Sequence, residues 1–113
     1  MSARVVARAA AVALSLAFAQ GAAAGGKAEA GKAKAAQVCA ACHGADGAKP
    51  SAPDQPILAG QYYDYLLKAM TDYKSGKRNN AIMKGFAASL SVQDMEDLAA
   101  WFSTQKSSLH FQR

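Results

Sequence analysis

The chain has 113 residues, with 13 Lys plus Arg against 8 Asp plus Glu, a formal charge of +5. That length holds one domain rather than two. The positive excess is mild and scattered, which argues against nucleic acid as a partner.

The opening stretch, "MSARVVARAAAVALSLAFAQGAAAGG", carries Arg4 and Arg8, runs apolar from Ala9 to Ala19 and ends in small residues. This is the layout of a cleaved export signal. Ala22-Ala23-Ala24 places cleavage before Gly25, and Ala17-Phe18-Ala19 offers a second choice before Gln20. A membrane anchor is the alternative, but the apolar run falls short of the roughly 20 residues that a span needs. A mitochondrial presequence would also suit a segment with arginines and no acids. On the first reading, residues 1–24 are a signal peptide and 25–113 form one domain of 89 residues with a formal charge of +3. So small a domain usually relies on disulfides, a metal or a cofactor. Two cysteines allow at most one internal disulfide.

Three helices are predicted. The first runs from Lys27 to about Ala40 and is rich in the strong helix formers Ala and Lys. Gly31 interrupts it at a cost of about 1 kcal/mol relative to Ala, either as a tolerated defect or where another helix comes close. Gly44 to Gly60, with three prolines and three glycines, reads as a long functional loop. The second helix runs from Gln61 to about Ser75, with Tyr62, Tyr65, Leu66, Ala69, Met70 and Tyr73 on one face and Gly76 as its stop. The stretch "KRNNAIMKGFAASL" reads as irregular. The third helix runs from Ser91 to about Thr104. Ser91 is its N-cap, Asp94 at the third helical position comes close to a capping box, and Leu90 and Met95 are spaced for a hydrophobic staple. Val92, Met95, Leu98, Ala99 and Phe102 make its buried face, and Asp94, Glu96 and Asp97 lie near the positive end of its dipole. No segment alternates with the two-residue period of a strand, and the tail from Lys106 reads as a frayed end.

Both cysteines stand in "QVCAACHGADG". Cys39-Ala40-Ala41-Cys42-His43 is C-x-x-C-H, the attachment motif for c-type haem. Two cysteines three apart at a helix end face the same way, so both sulfurs can bond the vinyl groups of one haem. His43 can then reach the iron from that face. The alternatives fit less well. A dithiol redox site would call for strand–helix alternation. A zinc site would have to combine the adjacent Cys42 and His43 with Cys39 and a distant His110. A disulfide across two intervening residues would be strained and would close almost no loop. For the sixth position, Met70 and Met95 sit on apolar helical faces, where a methionine is more often core filling. Met83 lies in the irregular stretch and is the favoured ligand, with His110 badly placed.

The ordered series "CAACHG", "PILAGQ", "YLLKAMTDYKSGKRNNAIM" and "LSVQDMEDLAAWF" resembles the class I c-type cytochromes, the small bacterial kind found alone or as one half of dihaem proteins. The match covers about Ala30 to Phe102. The resemblance implies an all-α cytochrome c fold, about three main helices and long loops wrapped around one covalently bound haem c. It makes Cys39 and Cys42 the thioether residues, His43 the proximal ligand and Met83 the distal one. Pro56 matches the proline whose carbonyl accepts a hydrogen bond from His43, and Gly31 the glycine where first and last helices cross, with Leu98 and Trp101 packed over it. Tyr65, Arg78 and Trp101 are candidate partners for the haem edge or propionates.

A His/Met-ligated haem has no open coordination position, and no acid–base pair or nucleophile stands near the motif. The expected function is therefore one-electron carriage rather than catalysis, in a periplasmic monomer with no membrane span. Redox proteins would dock at the haem edge, steered by Lys34, Lys49, Lys68 and Lys84. A cytochrome subunit of a larger oxidoreductase is the alternative. An open-site haem enzyme or gas sensor would require that Met83 not hold the iron.

Overall fold

Five helices form among residues 25–108, which the structure, a computed structural model, describes: α1 (Ala28–Val38), α2 (Ala40–His43), α3 (Tyr63–Ser75), α4 (Ala81–Ala88) and α5 (Val92–Ser103). No strand occurs among the described residues, and the fold is the all-α one expected. The expected signal peptide at 1–24, its cleavage sites and His110 lie outside the described residues.

The last helix starts as its sequence predicts. Ser91 Oγ accepts the Asp94 N–H at 3.0 Å, and Asp94 Oδ2 accepts the Ser91 N–H at 3.0 Å. Leu98, Ala99, Phe102 and Met95 turn inward from α5 and join Ala35, Leu66 and Leu90 in one buried cluster. Burying a Leu or Phe side chain contributes about 1.5–3 kcal/mol. Val92 does not share that face: it is 65% exposed, because the first helical residue precedes the turn that meets the core.

The helix α1 has no side-chain cap of its own at Lys27. Its end is satisfied from the far side of the chain. The Lys27 N–H donates to Asp97 Oδ1 at 2.7 Å, and Gln93 Nε2 donates to the same oxygen at 2.8 Å. Asp97 is buried, yet its charge is used by these two donors, so it is a tie between α1 and α5 rather than a dipole partner alone.

The two helices cross at Gly31. A methyl group there would lie 1.9 Å from the Asp97 carbonyl oxygen and 2.9 Å from Trp101 Cβ. The close-approach reading of Gly31 therefore holds. The residues nearest the missing methyl are Asp97 and Trp101, while Leu98 points into the core.

The second predicted helix, now α3, begins at Tyr63, with Tyr62 as an exposed N-cap rather than a member of the buried face. It ends where Gly76 takes φ 84°, a left-handed conformation that favours glycine. It packs against both α4 and α5.

The stretch expected to be irregular contains α4. Asn80 Oδ1 accepts the Met83 N–H at 3.0 Å and caps it. Asn79-Asn80 and Gly85 read locally as breakers, but Asn80 is a helix-starting residue. Gly85 meets nothing within 4 Å of where a Cβ would stand, so it is a tolerated interior glycine.

Candidate functional site

The buried cluster is small for the chain that surrounds it, and beside it lies a cavity of about 440 Å³. That is the size class of a small-molecule or cofactor site. Cys39, Cys42, His43, Pro56, Met70 and Met83 all contribute to its wall, and most of the remainder is aliphatic or aromatic. The wall thus offers two thiols, an imidazole and thioether sulfurs around an apolar space, a donor set that fits a covalently held haem.

One short turn brings the first three of these together. The Cys39 N–H closes α1 on the Ala35 carbonyl at 2.9 Å, and the His43 N–H bonds the Cys39 carbonyl at 3.0 Å. The predicted first helix therefore breaks at Cys39, and the C-x-x-C-H residues form their own turn, α2.

His43 is 6% exposed, and its Nδ1 lies 2.9 Å from the Pro56 carbonyl oxygen. A carbonyl can only accept, so Nδ1 carries a proton, and in the neutral imidazole that leaves the lone pair on Nε2. This is the arrangement a metal-ligating imidazole needs, with its orientation and basicity set by the carbonyl.

Pro56 is itself held by a network that sequence reasoning missed. Gln55 Oε1 accepts the Ser51 N–H at 3.0 Å, the Ser51 hydroxyl at 2.8 Å and the Ala52 N–H at 3.1 Å. The Ser51 N–H also bonds the Cys42 carbonyl at 2.9 Å. The loop is thereby tied to the C-x-x-C-H turn it faces. Nothing in "PSAPDQP" signals that network beyond a polar residue among prolines.

Met83 lines the cavity and is half-buried, but from the first turn of α4 and not from an irregular loop. Met70 lines the same cavity from α3 while packing against the core, so the apolar face on which it sits is also the cavity wall. Met95 is buried in the cluster and takes no part in that wall.

The outer candidates divide. Tyr65 and Arg78 line the cavity, and Arg78 Nη1 donates to the Tyr65 hydroxyl at 3.4 Å. Trp101 does not line it. Its Nε1 donates to the Ala45 carbonyl at 3.0 Å, and Lys32 Nζ sits 5.6 Å from its ring centroid. Trp101 therefore anchors the loop after α2 to α5. None of Lys34, Lys49, Lys68 and Lys84 enters the cavity wall, and two of them are paired: Lys34 with Asp94 at 3.5 Å and Lys68 with Asp72. Their charges are partly spent on the protein itself.

Burial pushes the Cys39 thiol up to about 11. A dithiol redox site needs the opposite, a thiol held low enough to react as thiolate. Among the described residues, no group of three or more His, Cys, Asp or Glu could hold a metal ion.

An all-α chain with C-x-x-C-H in the wall of an apolar cavity defines a c-type haem protein. Residues 28–106 match the family model described as Cytochrome c, and the chain belongs to that family, as a class I c-type cytochrome. Membership implies covalently bound haem c.

The chain is similar to cytochrome c4 of Pseudomonas aeruginosa, 57% identical over 86 residues that cover 76% of this chain and 42% of the relative. It also resembles a thiosulfate dehydrogenase electron acceptor of Stutzerimonas stutzeri, 46% identical over 66 residues, 58% of this chain and 31% of that one. The crystal structure of reduced recombinant cytochrome c4 from Pseudomonas stutzeri aligns with a TM-score of 0.67 at 47% identity, over 74% of this chain and 48% of that one. The chain thus spans less than half the length of these relatives. No helix among the described residues is long and apolar enough to cross a membrane.

Proposed function

We propose that the chain is a periplasmic one-electron carrier holding one haem c, bonded through Cys39 and Cys42 and ligated by His43 and Met83. The observation that carries this reading is that one cavity collects both thiols, a methionine sulfur and an imidazole whose Nδ1 is committed to the Pro56 carbonyl. The haem would supply the redox-active iron. The chain's residues do the rest. Pro56 fixes the His43 ring. The aliphatic and aromatic wall would keep water from the iron and so disfavour the additional charge of the oxidised state. Thioether ligation acts in the same direction and raises the potential relative to two imidazoles. With His43 and Met83 both holding the iron, the haem would supply one-electron exchange with little rearrangement of these side chains.

Export fits covalent attachment, which prevents loss of the group outside the cytoplasm. The similarity to a thiosulfate dehydrogenase electron acceptor supports a second reading, in which the donor is an oxidoreductase that holds the cytochrome as a subunit. Gel filtration of the native protein separates a free monomer from such a complex.

The first test is an optical spectrum, oxidised and reduced, of wild type, Met83→Ala and Met70→Leu. A weak far-red charge-transfer band in the oxidised wild type marks iron(III)–thioether ligation. The proposal expects that band to vanish in Met83→Ala and to persist in Met70→Leu. The reverse pattern assigns the iron to Met70. No band in wild type, with rapid carbon monoxide uptake by the ferrous protein, supports an open-site haem protein instead.

A further inference from the structure

Two glycines, Gly25 and Gly26, directly follow the expected cleavage point, and the fold requires both. A Cβ on Gly26 would lie 1.9 Å from the Glu96 carbonyl oxygen and 2.3 Å from the Asp97 nitrogen. The chain therefore enters by lying directly against the Glu96–Asp97 peptide of α5, and no side-chain rotation would relieve a larger residue there. Gly25 takes φ 134°, a conformation that glycine adopts far more readily than other residues. Lys27 follows with its N–H on Asp97 Oδ1 at 2.7 Å. Close packing on α5 thus begins at the two residues that a cut before Gly25 would leave at the front.

Gly25 reaches a corner between α3 and α5. A Cβ on it would stand 4.0 Å from the hydroxyl of Tyr63, the first residue of α3. Burial first, and then the charges of Glu96, Asp64 and Asp97, push that phenol above its ordinary range, while the Gly26 N–H that faces it acts the other way. Of the three acids Glu96 acts on the hydroxyl most strongly. Asp97 already accepts from Lys27 and Gln93. Glu96 takes part in neither of the ion pairs found among the described residues, Lys34–Asp94 and Lys68–Asp72. What the corner lacks is a cation at Gly25, and cleavage makes one. Hydrolysis adds water across the Ala24–Gly25 peptide bond and leaves a carboxylate on the leader and an ammonium on Gly25.

We propose that the mature chain begins at Gly25 and that its α-ammonium pairs with the Glu96 carboxylate beside the Tyr63 hydroxyl. This rests on the export reading and is independent of the haem. The dipole of α1 opposes a cation near its start, and the Glu96 carboxylate outweighs it. Only the processed chain gains the pair, so processing adds stability to the α1–α5 crossing that the precursor lacks. A free α-amino group titrates at about 7.7–8.0. Paired with Glu96 its folded value is raised, so its contribution is complete below the free value and is lost as the pH rises through the folded one. Asp64, Asp97, Tyr63 and Lys27 are the other titratable groups near this corner, and they are the same in precursor and mature chain.

The experiment has two parts. The intact mass of the exported protein gives its first residue, expected to be Gly25. Chemical denaturation at low salt then compares a chain starting at Gly25 with one starting at Gln20, each with and without Glu96→Gln. In the Gly25 chain at pH 7, Glu96→Gln is expected to raise the unfolding constant about twofold to fivefold, the range for a largely exposed ion pair. In the Gln20 chain, whose amino group lies five residues further out, it should change little. At pH 10 the difference between the two chains should vanish. A mature protein that starts elsewhere overturns the proposal together with that cleavage site. The expected mass with an equal loss in both chains, or a difference that persists at pH 10, overturns the ammonium site alone. The haem reading is decided separately, by the spectra above.

Discussion

The Cα of Gly31 lies so close to Asp97 that a methyl group on it would stand 1.9 Å from the Asp97 carbonyl oxygen. The obstacle is backbone, so no side-chain rotation relieves it. Gly31→Ala would gain about 1 kcal/mol of helix propensity and meet an overpacking cost of about 1–3 kcal/mol. Because α1 would have to move off α5, the cost should win. Chemical denaturation of the holo-protein is expected to show a net loss of up to about 2 kcal/mol. A stabilised variant would mean that the crossing has slack.

The cap on α4 ties stability to ligation. Asn80 Oδ1 accepts the N–H of Met83 itself, so the cap fixes the turn that presents the proposed sulfur ligand. Asn80→Ala should cost about 1 kcal/mol and weaken the far-red thioether band of the oxidised protein. Asn80→Asp keeps an acceptor at the same place and should restore the band. A full-strength band in Asn80→Ala would show that the α3–α4 packing holds Met83 without the cap.

How much of this was legible follows from where each determinant sits along the chain. The C-x-x-C-H turn, the Gly76 stop and the Ser91–Asp94 box are set by residues within four positions of each other, and the sequence displays them. The start of α1 is satisfied by Asp97, separated from Lys27 by 70 residues, which no local pattern can announce. Helix α4 spans only Ala81–Ala88, about two turns, too short for a periodic signal to outweigh Asn79-Asn80 and Gly85. Met83 therefore entered the site for the wrong local reason, as a loop residue, although it does face the cavity. The pairing of Lys34 and Lys68 was hidden for a different reason: charge counts do not reveal which cations already have a partner. Pro56 was available only through the family resemblance, because a backbone carbonyl leaves no mark in the sequence.

Gln55 supports the His43 side of the cavity through the loop. Its carboxamide oxygen collects three donors from Ser51 and Ala52, next to the residue whose carbonyl holds His43. Gln55→Ala should destabilise the protein by about 0.5–1.5 kcal/mol, the net range for a typical intramolecular hydrogen bond. It should also lower the midpoint potential measurably or broaden the haem spectrum, since Pro56 is less firmly placed. Gln55→Glu retains the accepting oxygens and should recover most of the loss. Loss of stability with an unchanged potential would confine Gln55 to a structural role.

The capping box predicts a response to acid. Asp94 accepts the Ser91 N–H and faces Lys34, and these contacts hold its carboxyl below the ordinary range, the backbone hydrogen bond most of all. A carboxyl with a depressed folded pKa contributes stability that is present above its unfolded value of about 3.9. That contribution disappears as the pH falls through the folded value. Denaturation midpoints of wild type and Asp94→Asn should therefore differ at pH 7 and converge toward pH 3. The other carboxylates are common to both proteins and cancel in the comparison. Ser91→Ala removes the reciprocal half of the box and should cost about 1 kcal/mol at pH 7. A difference between wild type and Asp94→Asn that stays constant over the whole range would place the effect in helix propensity rather than in the ionised carboxylate.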